Sequence, residues 1–284
     1  MVDKDALHPM NPASPTLQIE FAPTFKKRPI RHLLMDWDGT TSMGRGGWGE
    51  IMTDVYVENL PLQDGETDES RRQYSWDELM PLNGKPAIHQ MEHLVKLMVQ
   101  RGGKAQSADA YQAEFQRRLL AMVFSRMEAI RTGQKAADSI LIPGVCTLLA
   151  ELRKRSIGLT LCTGTPIEQV TEEARLLGID QLFDSIRGPA DLEDRTFSKR
   201  GVIQEILKLD GMDGSALLSI GDGPAEIVEA KAVGGLTIGV ASDEKEFGSG
   251  RVDEWKRGML LEVGADAIIP DFSSPHELLK AVLE

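Results

Sequence analysis

Two aspartates one residue apart follow a short apolar run near the start of the chain. Asp36 and Asp38 come directly after residues 33–35 (LLM), and residues 39–41 (GTT) follow them. The apolar run indicates a buried strand, and side chains two residues apart point in the same direction past its end. Adjacent carboxylates repel each other unless a cation or a shared proton offsets their charge. A magnesium ion with a phosphorylated substrate would do so, and a solvated Asp-rich turn is the alternative.

Three further candidate site residues follow two later apolar segments. Thr163 and Gly164 come directly after residues 159–162, and Asp222 comes shortly after residues 217–220. Both apolar segments are typical of buried strands, and ligands of parallel sheets bind beyond the carboxyl ends of the strands. A hydroxyl and a small backbone position suit phosphoryl oxygens, and a carboxylate suits a metal ion. Two blander alternatives are that Thr163 caps the following helix and that Asp222 sits in an ordinary Gly-Asp-Gly turn.

A cation for the same site is expected at the start of a predicted helix over residues 199–209. Lys199 is the first candidate, and Arg200 beside it is the second. With such a cation, the residues above complete a phosphoryl-transfer site. One carboxylate attacks phosphorus, a second carboxyl protonates the departing alkoxide, and a hydroxyl and an ammonium bind the remaining phosphoryl oxygens. Magnesium offsets the repulsion between the anionic nucleophile and the anionic substrate.

The elements that must position these residues fall into two groups. After residues 143–144 (PG) the pattern alternates strand and helix to the end of the chain, which predicts a parallel sheet with helices on both faces. Residues 44–140 carry almost no strand signal, and their apolar residues recur at helical spacing. We therefore predict a core of residues 29–43 and 141–284, an inserted helical unit of residues 44–140, and an N-terminal tail of residues 1–28.

Composition and charge narrow the classes of partner. The 284 residues carry a net charge of −12, which argues against nucleic acid because phosphate backbones reward clustered Lys and Arg. A small anionic substrate remains compatible, since it responds to a local field. No apolar stretch is long enough to cross a bilayer, and the N-terminus lacks the features of a signal peptide. We expect a cytoplasmic protein that binds neither nucleic acid nor membrane, and we leave its oligomeric state open.

The ordered set of motifs resembles the haloacid dehalogenase superfamily, in the branch that hydrolyses phosphate esters. The resemblance covers most of residues 30–284, and all four motifs occur in the family's order. It implies an α/β fold, with a Rossmann-like parallel sheet and an inserted α-helical cap domain. The family's cap closes over the substrate and excludes water, and the glycine-rich residues 44–49 lie where the family has its hinge. The resemblance also implies Mg²⁺ as the cofactor.

The same resemblance implies a role for each site residue. Asp36 matches the nucleophile, and Asp38 matches the general acid and base, whose backbone carbonyl also binds magnesium in the family. Thr163 matches the hydroxyl of the second motif, and Lys199 matches the lysine of the third. Asp222 matches the metal ligand of the fourth motif. The implied metal ligands are therefore Asp36, Asp38 and Asp222.

Two departures from the family pattern leave alternatives open. The fourth motif usually has an aspartate four positions beyond its first one, and here Glu226 stands there. This longer side chain either reaches the metal or acts through a neighbouring group. Residues 36–41 (DWDGTT) also partly match the phosphonoacetaldehyde hydrolases, which cleave a carbon–phosphorus bond with a Schiff-base lysine in the cap. Lys85 would be that lysine, and it is also our candidate for a cap residue that binds substrate.

The sequence as a whole predicts a magnesium-dependent phosphatase of a small phosphorylated metabolite, a sugar phosphate being one candidate. It would act through an aspartyl-phosphate on Asp36. Ester hydrolysis is favoured over carbon–phosphorus cleavage because Asp38 supplies the acid that an ester leaving group needs. A mutase that passes the phosphoryl group to a sugar hydroxyl, and a non-catalytic binding module, are the remaining alternatives.

Overall fold

The computed structural model describes residues 19–82, 87–191, 194 and 196–283. Lys85 and residues 1–18 of the predicted tail lie outside these residues. Across the described ranges, seven strands form one sheet. In chain order they are β1 (Glu20–Phe21), β2 (His32–Met35), β3 (Gly158–Cys162), β4 (Ser185–Arg187), β5 (Leu217–Gly221), β6 (Leu236–Val240) and β7 (Ala267–Ile269).

The described residues also form ten α-helices, four of which lie between β2 and Pro143. These four are α1 (Trp48–Asn59), α2 (Asp68–Leu79), α3 (Ala87–Gln100) and α4 (Ala108–Arg131). The other six follow and alternate with the later strands. They are α5 (Val145–Lys154), α6 (Ile167–Leu176), α7 (Lys199–Leu209), α8 (Pro224–Ala232), α9 (Glu254–Glu262) and α10 (Pro275–Leu283).

The sheet has the order β1-β7-β6-β5-β2-β3-β4, and β2 lies between β5 and β3. All neighbouring pairs are parallel except β1 with β7. Met35, the last residue of β2, lies opposite Leu161 of β3 and Ile220 of β5. The residues that follow these three strands therefore leave the sheet at the same edge, close to where the strand order reverses.

Side chains of β2 alternate between two hydrophobic clusters on the two faces of the sheet. Leu33 and Met35 belong to the cluster that contains Leu149 of α5. Leu34 belongs to the cluster that contains Ile203 of α7. All four residues of β2 are buried, as expected for a strand covered on both sides. The predicted α/β fold with helices on both faces is confirmed.

The start of α4 and the end of α3 lie where the sequence pattern predicted a helix to begin and to end. Ser107 accepts a hydrogen bond from the backbone N–H of Ala110 and so caps α4. After α3 ends, Gly102 takes a left-handed conformation with φ 78°. Among the described residues, α1 to α4 follow one another with no strand between them. The division into core and cap at residues 44 and 140 stays a prediction.

Strand β1 adds an antiparallel edge to the sheet within the predicted tail. Glu20 lies opposite Ile268, and Phe21 lies opposite Ala267. Arg257 on α9 also pairs with the Glu20 carboxylate. Two residues among several prolines carry too little periodicity to predict such a strand.

No helix in the described residues is long and apolar enough to cross a membrane.

Candidate active site

Asp36 follows the carboxyl end of the central strand β2, and two hydrogen bonds of its backbone fix its position. Its N–H donates to the carbonyl of Ile220 at 3.0 Å, and its carbonyl accepts from the Thr41 hydroxyl at 2.6 Å. The loop then passes close to Asp222: a Cβ on Gly39 would lie 2.0 Å from Asp222 Oδ2. Only glycine fits at position 39, which also has φ 71°. This loop brings the ends of β2 and β5 together.

Three carboxyl groups and one ammonium meet at this edge of the sheet. Asp36, Asp222 and Glu226 each offer a carboxylate oxygen, and these oxygens lie within 4.8 Å of one another. We call these three residues the carboxylate cluster. Lys199 Nζ donates to Asp36 Oδ1 at 2.6 Å and to Glu226 Oε2 at 2.7 Å. Carboxylate oxygens are the ligands that Mg²⁺ prefers, so the donor set of the cluster fits that ion.

The cluster concentrates negative charge in a buried place. Burial raises the pKa of Asp36 well above its ordinary value, and the nearby Glu226 and Asp222 raise it further against the opposing effect of Lys199. Burial also raises the pKa of Asp222 to about 6, although Lys256 partly opposes the shift. For Lys199, burial would lower the pKa, but the charges of Asp36 and Glu226 outweigh it and raise the pKa. A divalent cation would relieve this excess of negative charge.

Glu226, whose role the sequence left open, makes two contacts from the first turn of α8. Its Oε1 accepts from the backbone N–H of Gly223 at 2.8 Å, and its Oε2 accepts from Lys199. The side chain is 2% exposed. A Cβ on Gly221 would lie 2.0 Å from Glu226 Oε1, so β5 must end in glycine for this carboxylate to fit. Glu226 therefore both caps α8 and holds Lys199 against Asp36.

Lys199 reaches the carboxylate cluster, and Arg200 does not. Ser198 caps α7 by accepting from Gly201 N at 3.1 Å, which makes Lys199 the first helical residue. The next side chain points elsewhere: Arg200 pairs with Glu229 on α8 at 2.6 Å. Of the two candidates that the sequence offered, only Lys199 contacts the predicted nucleophile.

Asp38 belongs to a second hydrogen-bond network, which lies beside the same cavity as Asp36 and Asp222. Its Oδ2 accepts from the Thr165 hydroxyl at 2.8 Å, and its Oδ1 lies 3.3 Å from Arg45 Nη1. Arg45 donates two further bonds of 2.8 Å to Glu173 on α6. Glu173 also accepts from the Trp37 indole N–H at 3.1 Å. This network fixes the Asp38 side chain between the loop after β2 and the loop after β3, so a metal role for Asp38 would use its backbone.

Thr163 and Gly164 follow β3 as predicted. The Thr163 hydroxyl is buried and accepts from the backbone N–H of Thr165 at 3.0 Å. It therefore braces the loop and does not cap α6, whose N-cap is Pro166. A Cβ on Gly164 would meet open space. Among the described residues, no hydrogen bond joins the Thr163 hydroxyl to the carboxylate cluster. Phosphate binding by Thr163 and Gly164 stays a prediction.

Lys256 and Glu244 complete the site and were missed by sequence reasoning. Lys256 Nζ lies 3.1 Å from Asp222 Oδ2 and 2.7 Å from Glu244 Oε1. Glu244 Oε2 in turn accepts from the backbone N–H of Gly47 at 3.3 Å. In the sequence, Lys256 lies in an ordinary polar helix and Glu244 in an acidic loop. No local signal distinguishes either residue from solvated surface.

A cavity of about 400 Å³ adjoins these residues. Its lining includes Asp36, Asp38 and Asp222 from the sheet edge, together with side chains from α1, α2 and α9. A substrate with its phosphoryl group at the sheet edge would therefore place the rest of the molecule between the inserted helices and the core.

Residues 30–234, well over half of the chain, match the family model described as haloacid dehalogenase-like hydrolase. The chain belongs to this family. As a haloacid dehalogenase-like hydrolase it is an enzyme, and the resemblance inferred from its four motifs is confirmed.

Individual relatives of this haloacid dehalogenase-like hydrolase include phosphatases. A phosphoglycolate phosphatase of Rhodospirillum rubrum is 26% identical over 223 residues, which cover 77% of this chain and 84% of the relative. Among solved structures, a predicted phosphoglycolate phosphatase of Haemophilus somnus is 17% identical with a TM-score of 0.57, covering 88% of this chain and 97% of its own. A putative β-phosphoglucomutase of Thermotoga maritima is 18% identical with a TM-score of 0.55, covering 89% and 100%. These structures share the fold.

Proposed function

We propose that this hydrolase is a magnesium-dependent phosphatase that acts on a small phosphorylated metabolite through an aspartyl-phosphate on Asp36. The observation that carries the proposal is the contact of 2.6 Å between Lys199 Nζ and Asp36 Oδ1, inside a cluster of three carboxyl groups at the end of β2. A buried nucleophile beside an ammonium is the arrangement that phosphoryl transfer requires. The phosphatase relative from Rhodospirillum rubrum supports the same substrate chemistry.

Each residue has a distinct part in the proposed reaction. Asp36 attacks phosphorus, and Lys199 binds phosphoryl oxygens as their charge develops. Asp38 gives a proton to the departing oxygen and later takes one from the water that resolves the aspartyl-phosphate. Thr165 and Arg45 hold the Asp38 carboxyl in place through the bonds described above. Asp36 and Asp222, with Glu226 beside them, would hold Mg²⁺, which supplies charge neutralisation between nucleophile and substrate.

Phosphate esters are proposed as substrates, in preference to phosphonates, because Asp38 is present and held by two partners. An alkoxide leaving group needs a proton, and a carboxyl at this place supplies it. Lys85, which a Schiff-base mechanism would use, lies outside the described residues.

The test replaces Asp36 and measures hydrolysis of p-nitrophenyl phosphate with Mg²⁺ and with EDTA. Asp36→Asn should lower kcat by at least about 10³-fold, because the nucleophile is lost. Circular dichroism should show an unchanged fold. Arg200→Met, a change on the same edge of the site but outside the cluster, should keep activity within about twofold. Full activity of Asp36→Asn would rule out the aspartyl-phosphate route. Conversion of a hexose 1-phosphate to the 6-phosphate, in place of release of inorganic phosphate, would identify a mutase.

A further inference from the structure

The cavity beside the carboxylate cluster is walled by three of the four tryptophans of the chain. Trp48 opens α1, Trp76 lies on α2, and Trp255 lies in the first turn of α9. Met43 and Met80 add polarizable apolar surface to the same lining. The walls thus come from the inserted helices on one side and from the core on the other. An ester group that fills the cavity beyond the phosphate would contact these rings.

The tryptophan rings are incompletely buried by the protein itself. Trp48 and Trp76 are half-buried, and Trp255 is 41% exposed. Trp76 packs over Gly49, where a Cβ would lie 3.3 Å from its ring, so a glycine on α1 makes room for that ring. Tryptophan side chains contribute more apolar area than any other residue when they are covered. Three partly exposed rings in the lining of a reactive site therefore favour a ligand with a flat apolar surface.

The buried cations of the same lining, Arg45 and Lys256, are already engaged by carboxylates. Arg45 is held by Glu173 and Asp38, with distances of 2.8 and 3.3 Å. Lys256 is held by the carboxylates described above, and its exposed fraction is 6%. Lys245 lines the cavity as well but is exposed at its rim. Within the described part of the lining, each buried cation has carboxylate partners, so a short anionic leaving group would have to displace one of them.

Resting on the phosphatase function proposed above, we propose that the substrates are phosphate monoesters whose alcohol carries an aromatic ring, bound against Trp48, Trp76 and Trp255. The ester's P–O bond breaks as the bond from Asp36 to phosphorus forms. The departing oxygen takes the proton of Asp38 and leaves as the ring-bearing alcohol. Contact between aromatic rings then selects the alcohol, while Asp36 and Lys199 react with and bind the phosphoryl group.

The first experiment compares benzyl phosphate with ethyl phosphate, whose alcohols have similar acidity, and with 2-phosphoglycolate. The wild-type enzyme should show kcat/KM for benzyl phosphate at least about tenfold above that for either of the other two. Trp76→Ala and Trp255→Ala should each move the benzyl-to-ethyl ratio toward one. Phe247→Ala removes an aromatic ring of similar exposure, 37%, that does not line the cavity, and it should leave the ratio unchanged. Equal rates for the three esters, or a preference for 2-phosphoglycolate, would overturn the proposal.

A second measurement separates this proposal from the phosphatase function on which it rests. Benzylphosphonate cannot be hydrolysed at a P–O ester bond, and its binding is followed by tryptophan fluorescence. We expect it to quench the fluorescence and to bind at least about tenfold more tightly than methylphosphonate. Quenching without turnover of any ester would contradict the proposed phosphatase function but support an aromatic binding pocket. Turnover with no preference for the benzyl compounds in either assay would contradict the aromatic pocket and leave the phosphatase function supported.

Discussion

Asp222 carries a partly buried carboxyl whose charge the folded protein tolerates poorly. Burial raises its pKa from the ordinary 3.8 to about 6, even with Lys256 beside it. The folded state therefore favours the protonated form. The contribution of this group to stability is greatest below about pH 4 and is lost as the pH rises through about 6. Functional carboxylates often cost stability in this way.

Asp222→Asn should therefore make the metal-free protein more stable at neutral pH. We expect the free energy of unfolding of the variant to match the wild type near pH 4 and to exceed it by about 1–3 kcal/mol at pH 7.5. Urea denaturation in EDTA across this range measures the difference. Asp64→Asn, in an exposed loop, is the control and should show no such trend. A variant that is less stable than the wild type at pH 7.5 would contradict the argument.

Two ion pairs between α7 and α8 allow a matched comparison at the residue scale. Glu226 holds Lys199 at the site, and Glu229 holds Arg200 on the surface. Glu226→Gln can keep the bond from Gly223 N but loses the charged contact with Lys199. It should lower kcat about tenfold with little change in Tm. Glu229→Gln should leave both unchanged, and equal losses in the two variants would show that Glu226 has no special role.

At the element scale, residues 43–47 form the last part of the connection from β2 to α1 and are held by several hydrogen bonds. Arg126 on α4 donates to the carbonyls of Met43, Gly44 and Gly46 at 3.3, 2.9 and 2.7 Å. Gly47 has φ 85° and precedes the first residue of α1. A glycine-rich segment would be flexible alone, and the guanidinium of Arg126 supplies three of the contacts that order it.

Arg126→Met should loosen this segment without unfolding the protein. Three carbonyls lose the bond from Arg126, which corresponds to about 1–3 kcal/mol of local stability and at least about tenfold faster amide exchange. Hydrogen exchange with mass spectrometry of the peptide that spans residues 43–47 measures the change. Arg131→Met is the control, because Arg131 pairs with Glu128 on the surface of the same helix. Equal exchange in Arg126→Met and wild type would show that other contacts order the segment.

At the scale of the whole molecule, the site lies where the sheet, the inserted helices and α9 meet. The carboxylate cluster is built from β2, β5 and α8, and the Lys256–Glu244 pair joins α9 to the segment before α1. A cation bound here would contact residues that exist as a site only when the chain is folded. Its binding free energy would therefore add to global stability.

Mg²⁺ should raise the Tm of the wild-type protein. At a concentration of about 100 times Kd the stabilisation is about 2.7 kcal/mol, which corresponds to a shift of several degrees for a chain of this size. Calorimetry at pH 7.5 with and without the ion measures the shift. Asp222→Asn should show at most a small part of the shift, and Asp64→Asn should show all of it. No shift in the wild type would argue against a cation site in the cluster.

Local chemistry determined much of the architecture. The strand β2 and the helix α7 could be predicted because apolar runs and helical spacing are properties of neighbouring residues; residues 199–209 were predicted as a helix, and α7 has these bounds. The sequence also placed Asp36 and Asp222 at one edge of the sheet, because both follow strands that are parallel and parallel strands have their carboxyl ends at the same edge. The family followed from these motifs in sequence.

Partnerships between distant residues were decided by the tertiary structure alone. Arg45 and Glu173 are 128 positions apart, and neither carries a local signal of the other. Lys256 reaches Asp222 only because α9 packs beside β6. The reason is physical: periodicity records which face of an element is buried, while the pairing of charges depends on which elements pack together in three dimensions. The sequence thus determined the reactive groups and the sheet that presents them, and the packing decided their partners and the tryptophan walls of the cavity.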